Sequence, residues 1–186
     1  VITAPMTASV KADHQHTTIV GILDLDCIAV MDKGQFVQIS PPAELYEQPQ
    51  SKYVADFIGD INLLEGRVTK NERGRITLDS DVTGGVIDVH AESNAGAGDK
   101  AWFALRPEKA AISLLPPNDP KTNCAQGTVW DIGYVGDVSV YHVRLDQGGT
   151  MRASIANTSR VVERPITWDD QIYLTWTHDS GVILVK

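Results

Sequence analysis

His14 and His16 stand two residues apart, near enough for two imidazole nitrogens to share a metal ion. No third ligand follows at a suitable spacing, so the pair reads as part of a polar tail. His90 ends one β-type run and His142 sits inside another; each is more simply a surface or hydrogen-bonded residue. Ser139 lacks a Gly-x-Ser-x-Gly frame, and no Ser/His/Asp grouping can be built from spacing. Cys27 and Cys124 are the two cysteines, without Cys-x-x-Cys spacing, and read as reduced thiols. Trp102, Trp130, Trp168 and Trp176 offer π faces that attract cationic amines, but serve most simply as core or rim aromatics. Phosphate chemistry needs a Gly-rich loop whose amides cradle the phosphates and a Lys that reaches them. The chain contains no Gly-Lys dipeptide. These residues point to no catalytic, cofactor or metal site.

Composition narrows the field further. The chain has 186 residues and a formal charge of −8, which suits one domain or one domain with an appendage. A nucleic-acid partner is not expected, because neutralising phosphates needs clustered Lys and Arg. The best basic cluster, Arg67, Lys70, Arg73 and Arg75, is interrupted by Glu72 and reads as a solvated hairpin. No apolar run approaches 18 residues, so membrane insertion is not expected. The first residue is Val, which reads as a cut or processed start.

The elements that would position any site fall into two kinds. Residues 1–18 are weakly patterned and read as a poorly ordered leader. The apolar run Thr18–Asp24 and the runs on either side of Asp32-Lys-Gly34 predict strands and a tight hairpin. Ser40, followed by Pro41 and Pro42, predicts a capped helix start, and Ser51 a second one. Tyr53, Val54, Phe57 and Ile58 form one apolar stripe, and Gly59 is expected as a left-handed C-cap. Beyond Asp60 short β-type runs recur between turn signals: 62–70, 75–79, 85–90, 100–105, 124–135, 138–146, 151–156, 171–176 and 182–185. Leu115–Pro120 reads as a linker between two β halves, and no convincing repeat is visible. This spacing predicts a small, mainly β barrel.

Three stretches resemble one family, the ATP-binding subunits of ABC importers for polyamines, maltose-type sugars and similar solutes. The first is Ile28-Ala-Val-Met-Asp-Lys-Gly-Gln-Phe-Val-Gln-Ile39 with Pro42-Ala-Glu-Leu-Tyr-Glu-Gln-Pro49 and Tyr53-Val-Ala-Asp-Phe-Ile-Gly59, similar to the end of the nucleotide-binding domain. The second is Leu105-Arg-Pro-Glu108. The third, Ile132-Gly-Tyr-Val-Gly-Asp-Val-Ser-Val-Tyr-His-Val-Arg-Leu145, resembles a hairpin of the transport-associated OB-like (TOBE) domain, most like that of putrescine importers. The resemblance implies a short α/β remnant of the nucleotide-binding domain over 19–59 and an OB-like β-barrel regulatory domain over 60–186. It implies a homodimer held partly by the barrel, permease partners, and a cytoplasmic position on the inner face of the bacterial inner membrane. ATP and Mg belong to the intact family protein and to motifs this chain lacks. The signature Leu-Ser-Gly-Gly-Gln is absent, and Gln147-Gly-Gly149 reads as a hairpin turn. The family's switch triplet Thr-His-Asp is missing before Ile28; Thr177-His-Asp179 reproduces it only by letter, and Ile22-Leu-Asp24 resembles a magnesium-holding strand end without the Glu that should follow. Regulatory or dimer contacts are expected at Arg106, Pro107, Glu108, Tyr134, Gly136 and Asp137. For Arg106 and Glu108 the plainer reading is a charged latch across a strand end; for Tyr134 and Gly136 it is turn packing. Two other classes remain: a small-ligand-sensing barrel, and an OB-type oligonucleotide binder.

Overall fold

The computed structural model describes residues 7–13, 16–23, 27–119, 121–157 and 166–185, with side chains from residue 27 onward. The chain forms two compact units, Val1–Gly59 and Asp60–Lys186.

The first unit is an antiparallel sheet in the order β1 (Thr7–Asp13), β2 (His16–Leu23), β3 (Cys27–Asp32) and β4 (Gln35–Ser40), followed by α1 (Pro42–Glu47) and α2 (Lys52–Ile58). β1 and the first residues of β2 thus fall in the stretch read as a leader, and the rest of β2 is the apolar run that begins at Thr18. Lys33 and Gly34 both have positive φ, 49° and 79°, which matches the twist of the flanking strands and makes the expected tight turn. Val30, Leu45 and Val54 form its core, flanked by the Tyr53–Phe57 ring stack at 6.3 Å. Ser51 caps α2 by accepting from the Val54 amide at 3.3 Å. Ser40 does not cap α1, as its sequence position suggested. It is the buried end of β4 and accepts from Gln38 Nε2 at 3.0 Å, while Pro41 takes the cap position. Gln38 also donates to Gln48 O and accepts from the Gln50 amide, so its need for partners claims the serine. Gly59 is extended (φ 164°), not left-handed, because the chain leaves the helix straight.

The second unit is OB-like and almost wholly β. Its strands are β5 (Asn62–Glu72), β6 (Arg75–Ser80), β7 (Gly85–His90), β8 (Lys100–Leu105), β9 (Ala111–Ser113), β10 (Asn123–Val135), β11 (Val138–Leu145), β12 (Thr150–Ala156), β13 (Gln171–Trp176) and β14 (Gly181–Leu184). They build two curled antiparallel sheets, β14-β8-β5-β6-β7 and β12-β11-β10-β13-β9. Inward positions alternate along each strand, as in Ile76 and Leu78, Ile87 and Val89, Val143 and Leu145, Ile172 and Leu174, and all join one continuous core. Hence the period-two pattern legible in the sequence.

The two sheets are copies of one plan. β5 and β10 both open on Asn and carry Asn-x3-Gly-x-Val, as Asn62, Gly66, Val68 and Asn123, Gly127, Val129. Each has a bulge just after that Val, and the bulge bends the strand into a barrel wall. Each Val is held by the turn before its fourth strand. Val68 exchanges bonds with Gly98 and Asp99 at 2.7 and 2.9 Å; Val129 exchanges them with Asp169 and Asp170 at 2.8 and 3.0 Å. Each copy then gives its final strand away. β9 follows β8 but pairs with β13, and β14 follows β13 but pairs with β8. Each curled five-stranded sheet is therefore completed by the other half of the chain.

Candidate functional site

The duplication brings two buried asparagines to equivalent seams. Asn62 (5% exposed) receives the Arg152 amide on Oδ1 at 2.7 Å and donates Nδ2 to Arg152 O at 2.8 Å. Asn123 (4% exposed) does the same to Asp88, at 2.9 and 2.8 Å. Arg152 lies on β12 and Asp88 on β7, the third strands of the two copies. Each amide side chain thus imitates a strand pairing to the opposite copy.

The side chains of these partners give the seams opposite character. Asp88 receives Arg75 Nη2 at 2.7 Å and Thr77 Oγ1 at 3.0 Å. Burial alone raises its carboxyl, but these bonds, the Arg75 charge and His178 outweigh burial and hold it below its ordinary value. The depressed folded value means this stabilisation is present above the unfolded carboxylate range and is lost as pH falls from there through the lower folded value. Replacing the half-exposed Arg75 by Ala should therefore cost less than about 1 kcal/mol at neutral pH, with the gap to the parent closing below about pH 4, read from urea unfolding across pH.

The other seam is open. His142 stands where the first copy has Thr77, and Arg152 where it has Asp88. Thr77 and Asp88 bond each other; among the described residues no bond joins His142 to Arg152. A cavity of about 400 Å³ lies there, lined by Ile61, Asn62, Leu63, Trp130, His142, Thr150 and Arg152. Arg152 Nη1 donates to Asp60 Oδ1 at 2.7 Å. Trp130 meets His142 edge-on at 5.6 Å between ring centres, and the Arg144 guanidinium lies 5.1 Å from the Trp130 ring centre.

The sequence-predicted residues occupy two separate turns. Arg106, Pro107 and Glu108 sit where β8 crosses over to β9, in a 3₁₀ turn over Pro107–Lys109. Arg106 is buried and donates Nη1 to Asp60 O at 3.1 Å, which links this turn to the open seam through Asp60. Glu108 is exposed. Tyr134, Gly136 and Asp137 sit at the β10–β11 hairpin tip. Gly136 takes φ 62°, Asp137 O accepts from the Asn157 amide, and Tyr134 and Val135 are 69% and 66% exposed. This hairpin is longer than its β5–β6 counterpart by two pairs, Tyr134 with Ser139 and Val135 with Val138.

The four tryptophans form no common cage in the contacts they make. Trp102 lies under Lys100, Trp176 stacks on Phe103, and Trp130 meets His142. Thr177, His178 and Asp179 form a turn closed by Ser180, with Asp179 bonded to His90 at 3.1 Å. His14 and Asp24 lie outside the described residues. Among the described residues no group of three His, Cys, Asp or Glu is placed to hold a metal. Asn62 was not singled out by sequence, and Trp130 only as one of four tryptophans whose faces could attract cations; the repeated Asn-x3-Gly-x-Val was the signal that marks the seam.

Residues 103–184, from within β8 to the end of β14, match the TOBE domain family. The chain is 40% identical over 157 residues to the putrescine transport ATP-binding protein PotG of Escherichia coli K12, covering 84% of this chain and 41% of that protein. It is 35% identical over 158 residues to the spermidine/putrescine import ATP-binding protein PotA of Nitrosomonas eutropha, covering 85% and 43%. The chain thus spans less than half the length of these curated relatives. Among solved structures, the cytoplasmic molybdate-binding protein ModG with molybdate bound aligns with a TM-score of 0.55 and 16% identity over 67% of this chain and 96% of that one. That likeness is one of fold.

Proposed function

We propose, from the premise that this chain is the TOBE-bearing part of an ATP-binding protein of the polyamine-importer type, that its work is mechanical and regulatory. In the whole protein it would serve a homodimer that energises uptake of a polyamine such as putrescine, on the cytoplasmic face of the membrane and in contact with permease subunits. No helix among the described residues is long and apolar enough to cross a membrane, so attachment through such partners suits it. The observation that carries the reading is the second unit's construction. Two curled sheets that exchange strands and clamp each other through Asn62 and Asn123 move as one body. Such a body can hold two subunits in register while their catalytic halves open and close.

Dimer contact is proposed at the hairpin tip, where Tyr134 and Val135 project and Gly136 and Asp137 turn the chain; Arg106, Pro107 and Glu108 support the crossover behind the seam. Sedimentation of this chain should show a concentration-dependent dimer, and Tyr134→Asp should weaken it about tenfold or more. A monomer at every concentration up to about 100 μM would remove the dimer reading. Nucleotide titration should show neither tight binding nor hydrolysis of ATP by this chain, which has no phosphate-cradling loop.

A further inference from the structure

At the open seam the two copies differ in chemistry at matching positions, Thr77 and Asp88 in the first against His142 and Arg152 in the second. The first copy fills this place with Thr77 and Arg75, both bonded to the Asp88 carboxylate. The second has His142 for Thr77 and Arg152 for Asp88, and Val140 at the place of Arg75, so the charged partner is missing and room is left. His142, Thr150 and the remaining N–H groups of Arg152 are donors around one cavity. Asp60, the carboxylate bonded at its edge, is already engaged by Arg152. Asp131, opposite His142 in the strand register, turns Oδ1 to the Ile132 amide and does not line the cavity. The balance of charge favours an anion. A second cation would meet Arg152 in the cavity and Arg144 already over the indole.

Size and shape narrow the anion. A bare tetrahedral ion would fill a small part of about 400 Å³, a volume in the range of small-molecule sites. The Trp130 ring gives a flat wall, Ile61 and Leu63 an apolar one, and a guanidinium matches a carboxylate in plane. We propose that this seam binds a small organic carboxylate with a planar body, held by Arg152 and His142 and packed on Trp130. Its occupancy would bear on the clamp directly, because Arg152 offers its side chain to the ligand and its backbone to Asn62.

Benzoate is a suitable probe, titrated into the full chain while the Trp130 indole N–H is followed by NMR, with Trp130→Phe assigning the signal. The expected result is a saturable shift with Kd about 1 mM. Arg152→Gln and His142→Gln should each weaken it about tenfold, the loss of a charge-assisted bond, in variants whose remaining spectra show the parent fold. Sulfate and benzylamine at equal concentration should leave the signal in place. No shift with benzoate up to about 10 mM, an undiminished response in both variants, or equal saturation by sulfate would overturn the proposal.

Discussion

Replacing Asn62 by Ala is expected to destabilise the second unit by about 3–5 kcal/mol, with Asn123→Ala costing a similar amount. Each side chain occupies the two free backbone bonding positions of one residue on an edge strand of the opposite copy, and truncation leaves one N–H and one C=O unpaired in a part-buried seam. A buried polar group without a partner costs about 1–3 kcal/mol, and two are lost at each seam. Urea unfolding followed by tryptophan fluorescence measures this cleanly, because all four tryptophans lie within Asp60–Lys186. Asn62→Asp should fall between the parent and Ala: a carboxylate still accepts from the Arg152 amide but cannot donate to its carbonyl. If both Ala variants unfold within about 1 kcal/mol of the parent, the clamps are not what joins the copies.

The second large effect lies four residues further along each clamp strand. A methyl group on Gly127 would collide with the Arg144 carbonyl and with Val143, and one on Gly66 would stand 2.5 Å from the Asp79 carbonyl and 2.7 Å from Leu78 Cγ. Backbone oxygens in a paired strand cannot swing aside as a flexible side chain can. Gly66→Ala and Gly127→Ala should each cost about 3 kcal/mol or more, at the upper end of overpacking effects, read from the same unfolding curves. Gly133→Ala is the contrasting case. Its added methyl meets Val140 O at 3.9 Å, ordinary contact distance, and the change should stay within about 0.5 kcal/mol.

Much of the architecture was readable from periodicity. Nine of the strand runs beyond Asp60 were marked by alternation and by turns such as Glu72-Arg-Gly74, where Arg73 and Gly74 adopt the positive φ such turns require. β9 was not marked, since Ala111-Ile-Ser113 is too short to show a period, and its place is set by pairing with β13 across the chain. The duplication escaped for a related reason. The copies share only the residues that geometry demands: an amide for the clamp, a missing side chain for the close approach, and an apolar residue at the bulge. Ser40 was misread as a cap because its competitor, Gln38, is polar in sequence and buried in the structure. The open seam could not be read along the chain at all. Its walls come from β5, β10, β11 and β12, and what distinguishes it is the contrast with Thr77 and Asp88 at the other seam.

The exchange of final strands also orders events on the ribosome. The sheet built around β10 already has β9 waiting upstream, and it possesses all five strands once Trp176 has emerged. The sheet built around β5 is synthesised first yet stays four-stranded with β8 unpaired on one side until Gly181–Leu184 arrives. An exposed β8 edge, bearing Trp102 and Phe103, is thus the price of threading the two copies together, borne for as long as translation of the second half takes.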